Sequence, residues 1–231
     1  MLTTPALAAD AVLFDLDGTL IDTTALILHS CAHTFEEHFG SCPSEDELIA
    51  TFGRSLPEAL YEFAAAAGRP DPARVADEML ETYRAHNDIH HDTLIRGFDG
   101  VVDMLATLRA SGLCLGLVTS KREGTARRGI DHFGLGPFFD VAIFHDDTVH
   151  HKPDPEPLLA GAARLKVPPP DVVYVGDSIH DIAAGRAAGI RTIAAGWGPF
   201  RHSDLRAAGP DALAATPADV VRLVSRRRAR V

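Results

Sequence analysis

Two aspartates, Asp15 and Asp17, directly follow a short apolar stretch near the start of the chain. The stretch, residues 11–14, carries no charge and predicts a strand that is buried on both faces. Because side chains alternate along an extended chain, both carboxylates point to the same side. Held close together at the end of a buried strand, they repel each other and are costly to desolvate. The simpler interpretation is that Asp17 only opens a turn at Gly18. Alternatively, the two carboxylates bind a divalent cation such as Mg²⁺, which prefers carboxylate and backbone oxygens and would remove their repulsion.

Polar side chains also follow two later apolar stretches, residues 113–118 and 172–175. Thr119 and Ser120 follow the first, and their hydroxyls and backbone N–H groups suit a phosphate. Asp177 follows the second. In a parallel sheet the carboxyl ends of neighbouring strands meet at one edge, where such folds bind ligands. We therefore expect Asp177 to join the first two aspartates as a metal ligand, although helix capping alone would also explain it.

Two further charged residues belong to the same predicted site. Asp181 lies one helical turn after Asp177 and is expected to hold a metal-bound water or to orient Lys152. Lys152 lies in a proline-rich segment, residues 151–157, which excludes a regular helix. A lysine in a loop is usually only solvated, but beside several acids it would neutralise both a phosphate and a nucleophile.

The elements that must position these residues alternate between strand and helix. Apolar stretches typical of buried strands lie at residues 11–14, 113–118, 141–144, 172–175 and 191–195. Strands separated by helices predict parallel pairing, right-handed crossovers and helices on both faces of the sheet. The predicted fold class is therefore α/β, with a Rossmann-like, doubly wound parallel sheet as its core.

A purely helical segment interrupts this alternation after the first strand. Helix starts are predicted from capping residues, at Thr23 or Thr24, Ser44, Ser55 and Asp71. No convincing strand lies between these helices. We predict an inserted α-helical cap domain over residues 21–96, and a core formed by residues 1–20 and 97–231.

The composition restricts the kinds of partner. The chain has 231 residues, of which 46% are hydrophobic, and a formal net charge of −10. That charge argues against nucleic-acid binding, which needs a basic surface. The first ten residues do not resemble a signal sequence, no apolar stretch is long enough to span a membrane, and the three cysteines show no metal spacing. We expect a reduced, cytoplasmic protein with no nucleic-acid or membrane partner, whose arginines at 222–230 form a helix end or a frayed tail.

Taken in order, four segments resemble the four motifs of the haloacid dehalogenase-like (HAD) hydrolases. They are residues 15–19 (DLDGT), Thr119, Lys152 and residues 176–181 (GDSIHD). The resemblance extends over essentially the whole chain, and the helical insert resembles the cap domain of the family. The pattern looks nearest to phosphoglycolate phosphatases and to small-phosphate or pyrophosphate phosphatases. It implies a Mg²⁺-dependent phosphatase that acts on a small phosphorylated metabolite, and we expect a monomer or a homodimer.

The resemblance also implies a role for each site residue. Asp15 would attack the phosphorus and form an aspartyl-phosphate, and Asp17 would protonate the leaving oxygen and then activate water. Mg²⁺ would be bound by the Asp15 and Asp177 carboxylates and by the backbone carbonyl of Asp17. The phosphate and substrate would be held by Gly18, Thr19, Thr119, Ser120 and Lys152.

Four alternatives can be compared with this interpretation. Within the family, a dehalogenase would not carry an acid at Asp17. A sugar phosphomutase usually has valine in place of Thr19 and a cap histidine at the position of Ile27, while His29 lies two residues further on. A small-phosphate pyrophosphatase would share the core motifs. A non-enzymatic, phosphate-responsive binding module is the alternative from a different class, and the long helical insert argues against it because a closing cap serves to exclude water during turnover.

The predicted cap offers few residues with a readable role. Arg54 lies between two cap helices, where a specificity loop is expected, and could bind a carboxylate or a second phosphate. An exposed loop arginine without a ligand explains it equally well. The histidines at 90–91 and at 145, 150 and 151 lack a regularly spaced partner, so they are assigned no metal.

Overall fold

The computed structural model describes residues 6–227. Within that range the strands are β1 (Leu7–Ala9), β2 (Ala11–Phe14), β3 (Ile21–Asp22), β4 (Arg96–Gly97), β5 (Cys114–Val118), β6 (Val141–Ile143), β7 (Val172–Gly176), β8 (Arg191–Ala195), β9 (Ala212–Ala214) and β10 (Val224–Arg226). The helices are α1 (Thr24–Phe39), α2 (Glu45–Ile49), α3 (Leu56–Ala66), α4 (Pro72–Leu94), α5 (Val101–Ala110), α6 (Glu123–His132), α7 (Glu156–Leu165), α8 (Ile179–Ala188), α9 (His202–Ala208) and α10 (Pro217–Leu223).

The main sheet is parallel and has the strand order β6–β5–β2–β7–β8–β9. Its central strand β2 shows why the sheet is doubly wound. Val12 and Phe14 enter one apolar cluster, with residues of α5, α6 and α10. Ala11 and Leu13 enter the cluster on the opposite face, with residues of α7 and α8. This alternation confirms the predicted α/β class.

Two small strand pairs and one edge strand were not predicted. β9 extends the sheet beyond β8, and β1 pairs in parallel with β10. The expectation of a helix end or frayed tail for the terminal arginines is therefore wrong for Arg226, which lies in β10. Arg227 forms an ion pair with Asp171. Arg228 and Arg230 lie outside the described residues.

Four helices, α1–α4, occupy the predicted insert and share an apolar cluster of their own. Phe35 from α1, Leu60 from α3 and Met79 from α4 are buried in it. The segments that lead into and out of the insert, β3 and β4, pair antiparallel with each other. The division into a core of 1–20 with 97–231 and a cap of 21–96 stays a prediction, and this pairing supports it.

The helix starts in the insert follow the capping pattern in two of four cases. Ser44 forms a complete capping box, and Asp71 accepts a hydrogen bond from the backbone of Arg74. Ser55 is the residue before α3 but makes no side-chain cap bond. The start of α1 also differs, since Thr23 makes no side-chain cap bond.

The insert packs against the core next to the carboxyl edge of the sheet. Phe52 packs with Ile182 and Phe200 of the core. The ring Nε2 of His180 lies 3.0 Å from the carbonyl oxygen of Ala50. Among the helices of residues 6–227, none is long and apolar enough to cross a membrane.

Candidate active site

The carboxyl ends of three neighbouring strands bring the predicted site residues together. β2 lies between β5 and β7, and Asp15, Thr119 and Asp177 each follow the last residue of one of these strands. The hydrogen bonding between β2 and β7 continues one residue beyond β2, where the Asp15 N–H donates to the Val175 carbonyl at 2.9 Å. The three residues therefore meet at one edge of the sheet.

Lys152 lies at the centre of a buried hydrogen-bond network, with its side chain 1% exposed. Its Nζ donates to Asp15 Oδ1 at 2.8 Å and to Asp181 Oδ1 at 2.7 Å. It also donates to the Tyr174 hydroxyl at 3.1 Å, so each ammonium proton has an acceptor. The backbone N–H and hydroxyl of Ser178 donate to Asp181 Oδ2 at 3.0 and 2.6 Å. Of the two expected roles of Asp181, the contacts favour the orientation of Lys152.

Asp177 is held by the end of the first motif. The Thr19 hydroxyl donates to Asp177 Oδ1 at 2.9 Å, and the Trp197 ring N–H donates to the Thr19 carbonyl at 2.9 Å. Gly18 has φ +79°, and a Cβ built on it would lie 2.4 Å from Asp177 Oδ2. A Cβ at Gly198 would lie 2.4 Å from the Asp177 Cβ. Thr19 is fully buried and is not part of the cavity lining. Its hydroxyl therefore positions Asp177, and its predicted part in substrate binding stays a prediction.

Burial dominates the electrostatics of this network. Burial raises the pKa of Asp15 to about 7, although Lys152 acts in the opposite direction. Burial, and then the charge of Asp181, raise the pKa of Asp177 well above its ordinary value. Burial would also raise the pKa of Asp181, but Lys152 and the hydrogen bonds from Ser178 together outweigh it, and the pKa is lowered. The network therefore contains more buried acid than one ammonium group neutralises.

The donor set fits a hard divalent cation. Carboxylate oxygens of Asp15, Asp177 and Asp181 lie within 4.8 Å of one another. Both oxygens of Asp181 already accept hydrogen bonds, which leaves Asp15 and Asp177 as the available carboxylates. A cation with oxygen ligands would also supply the positive charge that the buried acids lack.

Asp17 is paired with a lysine that the sequence interpretation overlooked. Lys121 Nζ donates to Asp17 Oδ1 at 2.7 Å, and both residues line the cavity described below. Because the Asp17 carboxylate is engaged there, its expected contribution to a metal is restricted to the backbone carbonyl. Lys121 had a readable signal, since it directly follows the Thr119–Ser120 pair at the end of a strand.

The sequence predicts that the hydroxyls of Thr119 and Ser120 both bind phosphate. In the structure the two hydroxyls have different partners. Thr119 Oγ1 accepts a hydrogen bond from the Lys121 N–H at 3.1 Å, which still leaves its own proton available. Ser120 Oγ donates to the carbonyl of Gly53 at 2.8 Å. The Ser120 hydroxyl therefore connects the core to the cap.

A cavity of about 490 Å³ lies between these residues and the cap helices. Asp15, Asp17, Gly18, Thr119 and Ser120 line it from the core. Its remaining walls carry five basic side chains, which are Arg54, Arg84, Lys121, Arg122 and Arg128, and two acidic ones, Asp88 and Asp146. The cavity therefore joins the buried acids to a wall in which basic side chains outnumber acidic ones.

Arg54 and Arg84 differ in how they are held within the cavity wall. Arg54 reaches the cavity but is paired with Glu62, with N–O distances of 2.9 and 2.5 Å. Burial, and then the neighbouring guanidinium of Arg122, lower the pKa of Arg84. Arg84 lies in the middle of α4, where no local sequence pattern distinguishes it from a solvated helix residue.

The cap residues that bear on the mutase alternative are separated by the fold. Ile27 lines the cavity. His29, two residues further along α1, contacts the rings of His86 and His90 on α4 and is not among the lining residues. The geometry does not place His29 where it could serve as a cap base.

The parallel sheet, the acids at its strand ends and the helical insert define a hydrolase with a Rossmann-like core and a helical cap. The sequence profile of the haloacid dehalogenase-like hydrolases matches residues 12–195. The chain belongs to this family, and the predictions of a HAD-type fold and of an enzyme of the hydrolase class are confirmed.

Similar proteins from several bacteria match along nearly their whole length. The pyrophosphatase PpaX of Halalkalibacterium halodurans is 38% identical over 215 residues, with 93% of this chain and 96% of that protein covered. The pyrophosphatase PpaX of Anoxybacillus flavithermus is 37% identical over 215 residues, with the same coverage of 93% and 96%. A solved structure from Lactobacillus plantarum, assigned as a phosphoglycolate phosphatase, has a TM-score of 0.81 at 27% identity and covers 94% of this chain and 99% of its own.

Proposed function

We propose that this protein is a Mg²⁺-dependent phosphatase that hydrolyses a small phosphorylated metabolite through a phosphorylated Asp15. The observation that carries the proposal is the placement of Asp15. Its carboxylate is fixed by Lys152 at 2.8 Å, yet it lines the cavity beside Asp17. A carboxylate with this orientation can act as a nucleophile toward a phosphate in the cavity.

The chain's own side chains account for both half-reactions. In the first, an Asp15 oxygen bonds to phosphorus while the bond from phosphorus to the leaving oxygen breaks, and Asp17 gives that oxygen its proton. In the second, Asp17 takes a proton from water as the water oxygen bonds to phosphorus, and the bond from phosphorus to Asp15 breaks. Lys121, at 2.7 Å from Asp17, keeps that carboxylate at the edge of the cavity.

Asp15, Asp177 and the Asp17 carbonyl would hold the metal. When bound there, Mg²⁺ stabilises the negative charge of the transferring phosphoryl group. The excess of buried acid over buried base supports this assignment. Burial, together with the charge of Asp181, raises the pKa values of Asp15 and Asp177, and a bound cation would stabilise both carboxylates. The Thr119 hydroxyl would hold a phosphate oxygen. Lys152, which was predicted to share that role, donates its three ammonium protons to Asp15, Asp181 and Tyr174 and does not line the cavity, so it would act by orienting Asp15.

The basic cavity wall favours a substrate with a second anionic group. Arg84 and Arg122 lie close enough for each charge to act on the other. Asp146 pairs with Arg122 at 3.5 Å, and a bound anion beside Arg84 would offset the repulsion further. A phosphomonoester that also carries a carboxylate, as phosphoglycolate does, has such a group. Pyrophosphate is the second candidate substrate, because its second phosphate would occupy the same place. Two relatives, 38% and 37% identical to this chain, bear the name pyrophosphatase.

Phosphate release from a small panel tests the proposal. The panel contains 2-phosphoglycolate, pyrophosphate, an aryl phosphate and a hexose 1-phosphate, each with Mg²⁺, with Ca²⁺ and with EDTA. We expect Mg²⁺-dependent release, fastest from one of the two substrates with a second anionic group, and poor support by Ca²⁺, which prefers more ligands and a looser geometry. Full activity in EDTA would exclude the metal site. Conversion of hexose 1-phosphate into 6-phosphate without phosphate release would favour a mutase, and binding without turnover of any substrate would favour the binding module.

A further inference from the structure

Four histidines form a cluster on the paired helices α1 and α4 of the cap. His29 and His33 are one helical turn apart on α1, and His86 and His90 are one turn apart on α4. Spacing of four residues places two side chains on the same helix face. None of the four is among the residues that line the cavity. The cluster is therefore separate from the proposed catalytic site.

The rings are packed against one another. The centroid of His86 lies 4.3 Å from that of His33, 4.7 Å from that of His29 and 4.5 Å from that of His90. His29 and His90 are 5.0 Å apart. Each helix thus presents two imidazoles to the other, with His86 in contact with the remaining three.

We propose that His29, His86 and His90 form a binding site for a borderline divalent transition metal such as Zn²⁺. One ring nitrogen from each of the three residues lies within 4.8 Å of the others. Nitrogens that share one tetrahedral zinc ion at a bond length of about 2.0–2.1 Å are roughly 3.3–3.4 Å apart. Closing the remaining difference needs rotation of the side chains, of which His29 is exposed.

The residues around the three ligands support their orientation. His86 Nδ1 lies 3.3 Å from the Ser30 hydroxyl, which leaves Nε2 as the ligand nitrogen and fixes the ring in the way that outer contacts fix metal-bound histidines. His33 stacks on His86 and pairs with Glu37 at 3.3 Å, so an acidic group lies close to the site. Three imidazole ligands suit zinc, nickel or copper and do not suit Mg²⁺, which distinguishes this site chemically from the aspartates of the core.

A second histidine-containing group lies elsewhere on the surface and is less suitable. His150, Asp154 and Glu156 also bring ligand atoms within 4.8 Å of one another. However, His150 Nδ1 is bound to Glu156 at 2.7 Å, and Asp154 accepts the Glu156 backbone N–H at 2.8 Å. A metal would have to displace these bonds, whereas in the cap cluster it would bind rings that mainly stack.

An ion bound at the cluster would tie α1 to α4. These helices supply Ile27 and Arg84 to the cavity wall. Because the three ligands are close together only in the folded cap, the ion stabilises the folded state. Zinc should therefore raise the thermal stability of the protein whether or not a substrate is present.

Zinc titration of the full-length, tag-free protein tests the site, with Mg²⁺ present in excess so that the core aspartates are engaged. We expect calorimetry to show one zinc site in the wild type. In His90→Ala the Kd for zinc should rise more than about tenfold, because even mutation of a residue that only orients a metal ligand lowers metal affinity by that factor. His29→Ala should act alike, and it alters an exposed side chain that the fold does not need. His132→Ala, an exposed histidine on α6, is the matched control and should bind zinc like the wild type.

Melting curves with and without zinc provide the second measurement. Zinc should raise the melting temperature of the wild type and of His132→Ala, and this increase should be lost in His29→Ala and His90→Ala. Equal zinc binding by all four proteins would overturn the proposal, as would loss of binding in His150→Ala alone or no zinc site in the wild type. Since neither measurement uses turnover, the result does not depend on the proposed phosphatase activity.

Discussion

The floor of the cavity consists of buried acids at strand ends, whereas the wall on the cap side consists of partly exposed arginines on helices and loops. Asp15, Asp177 and Lys152 are each no more than 3% exposed, and each is fixed by named hydrogen bonds. On the other side, the Arg54 side chain is 21% exposed and its partner Glu62 is 57% exposed. The charges of the floor are buried and strongly coupled, while those of the wall are partly screened by water.

This difference separates chemistry from specificity. Buried charges respond strongly to a change of one partner, because low dielectric surroundings screen them poorly. Partly exposed charges are screened by water and contribute less, but they select substrates through bidentate contacts. Substitutions on the floor should therefore change turnover by orders of magnitude, and substitutions on the wall should change the preference among substrates.

The largest expected effect is that of Asp15→Asn. An amide cannot form the phosphorylated intermediate, so kcat should fall by roughly three orders of magnitude or more, as for other covalent nucleophiles. Asp103→Asn on α5, an exposed aspartate outside the cavity, is the matched control and should keep full activity. Steady-state phosphate release measures both. Retention of a tenth of the wild-type rate would remove Asp15 from its proposed role.

The same variant should have the opposite effect on stability in metal-free protein. Burial raises the pKa of Asp15 to about 7 from its ordinary value of 3.8, so the folded state binds this proton more tightly than the unfolded state does. Between about pH 4 and pH 7 the folded protein therefore carries more protons, and its free energy of unfolding decreases as the pH rises through that window. At about 1.4 kcal/mol per pKa unit, Asp15→Asn should add up to a few kcal/mol at pH 8.

Denaturant unfolding in EDTA at pH 5 and pH 8 measures this change. The wild type should lose stability between the two values, and Asp15→Asn should lose less. Asp177, whose pKa is also raised, maintains part of the slope in both proteins. Asp103→Asn should follow the wild type. If the free energy of unfolding of Asp15→Asn fell between pH 5 and pH 8 as much as that of the wild type, Asp15 would be ionised in the metal-free protein across this range.

The floor could be predicted from sequence because strand ends are local features that converge in three dimensions. Asp15 and Asp177 directly follow apolar stretches, and parallel pairing brings such positions together. Lys152 is different, since it lies 137 residues from Asp15 along the chain. Its importance was indicated by its family motif and by the general need of the acids for a countercharge, and no property of its own segment placed it there.

The wall was much less predictable. Arg84 lies on a long helix among other charged residues, and only the packing of the insert against the core turns it toward the cavity. The histidine cluster has the same cause, because the pairs on α1 and α4 are separated by more than fifty residues of sequence and meet through helix packing. Short strands such as β9, with the sequence ALA, have little intrinsic strand preference and depend on the neighbouring strand.

A smaller effect, confined to substrate preference, is expected for Arg84→Gln. Loss of a charge-assisted hydrogen bond costs about 1.5–3 kcal/mol, so KM for a substrate with a second anionic group should rise about tenfold or more. An aryl phosphate, which lacks that group, should be hydrolysed with unchanged KM. Arg74→Gln is the matched control on the same helix, since Arg74 is 63% exposed and pairs with Glu78. Equal changes for both substrates would mean that Arg84 supports the cap as a whole.

The smallest effect is expected for Ser120→Ala, and it tests where floor and wall are joined. Ser120 was predicted to hold phosphate, but its hydroxyl donates to the Gly53 carbonyl at 2.8 Å. If that bond only fixes the cap loop, its loss removes about 1 kcal/mol of interaction, and kcat/KM should fall about fivefold for every substrate alike. Inhibition by inorganic phosphate, which needs only the floor, should then be unchanged.

A direct phosphate contact of Ser120 would give a different pattern. The inhibition constant for inorganic phosphate would rise together with KM, even for the aryl phosphate that makes no use of the arginines. Thr119→Ala provides the comparison, because the Thr119 hydroxyl accepts only the Lys121 N–H and keeps its own proton for a ligand. We expect phosphate inhibition to weaken in Thr119→Ala and not in Ser120→Ala. Neighbouring hydroxyls at the end of one strand would then serve the two sides of the cavity separately, Thr119 by binding the phosphate and Ser120 by holding the loop that carries Arg54.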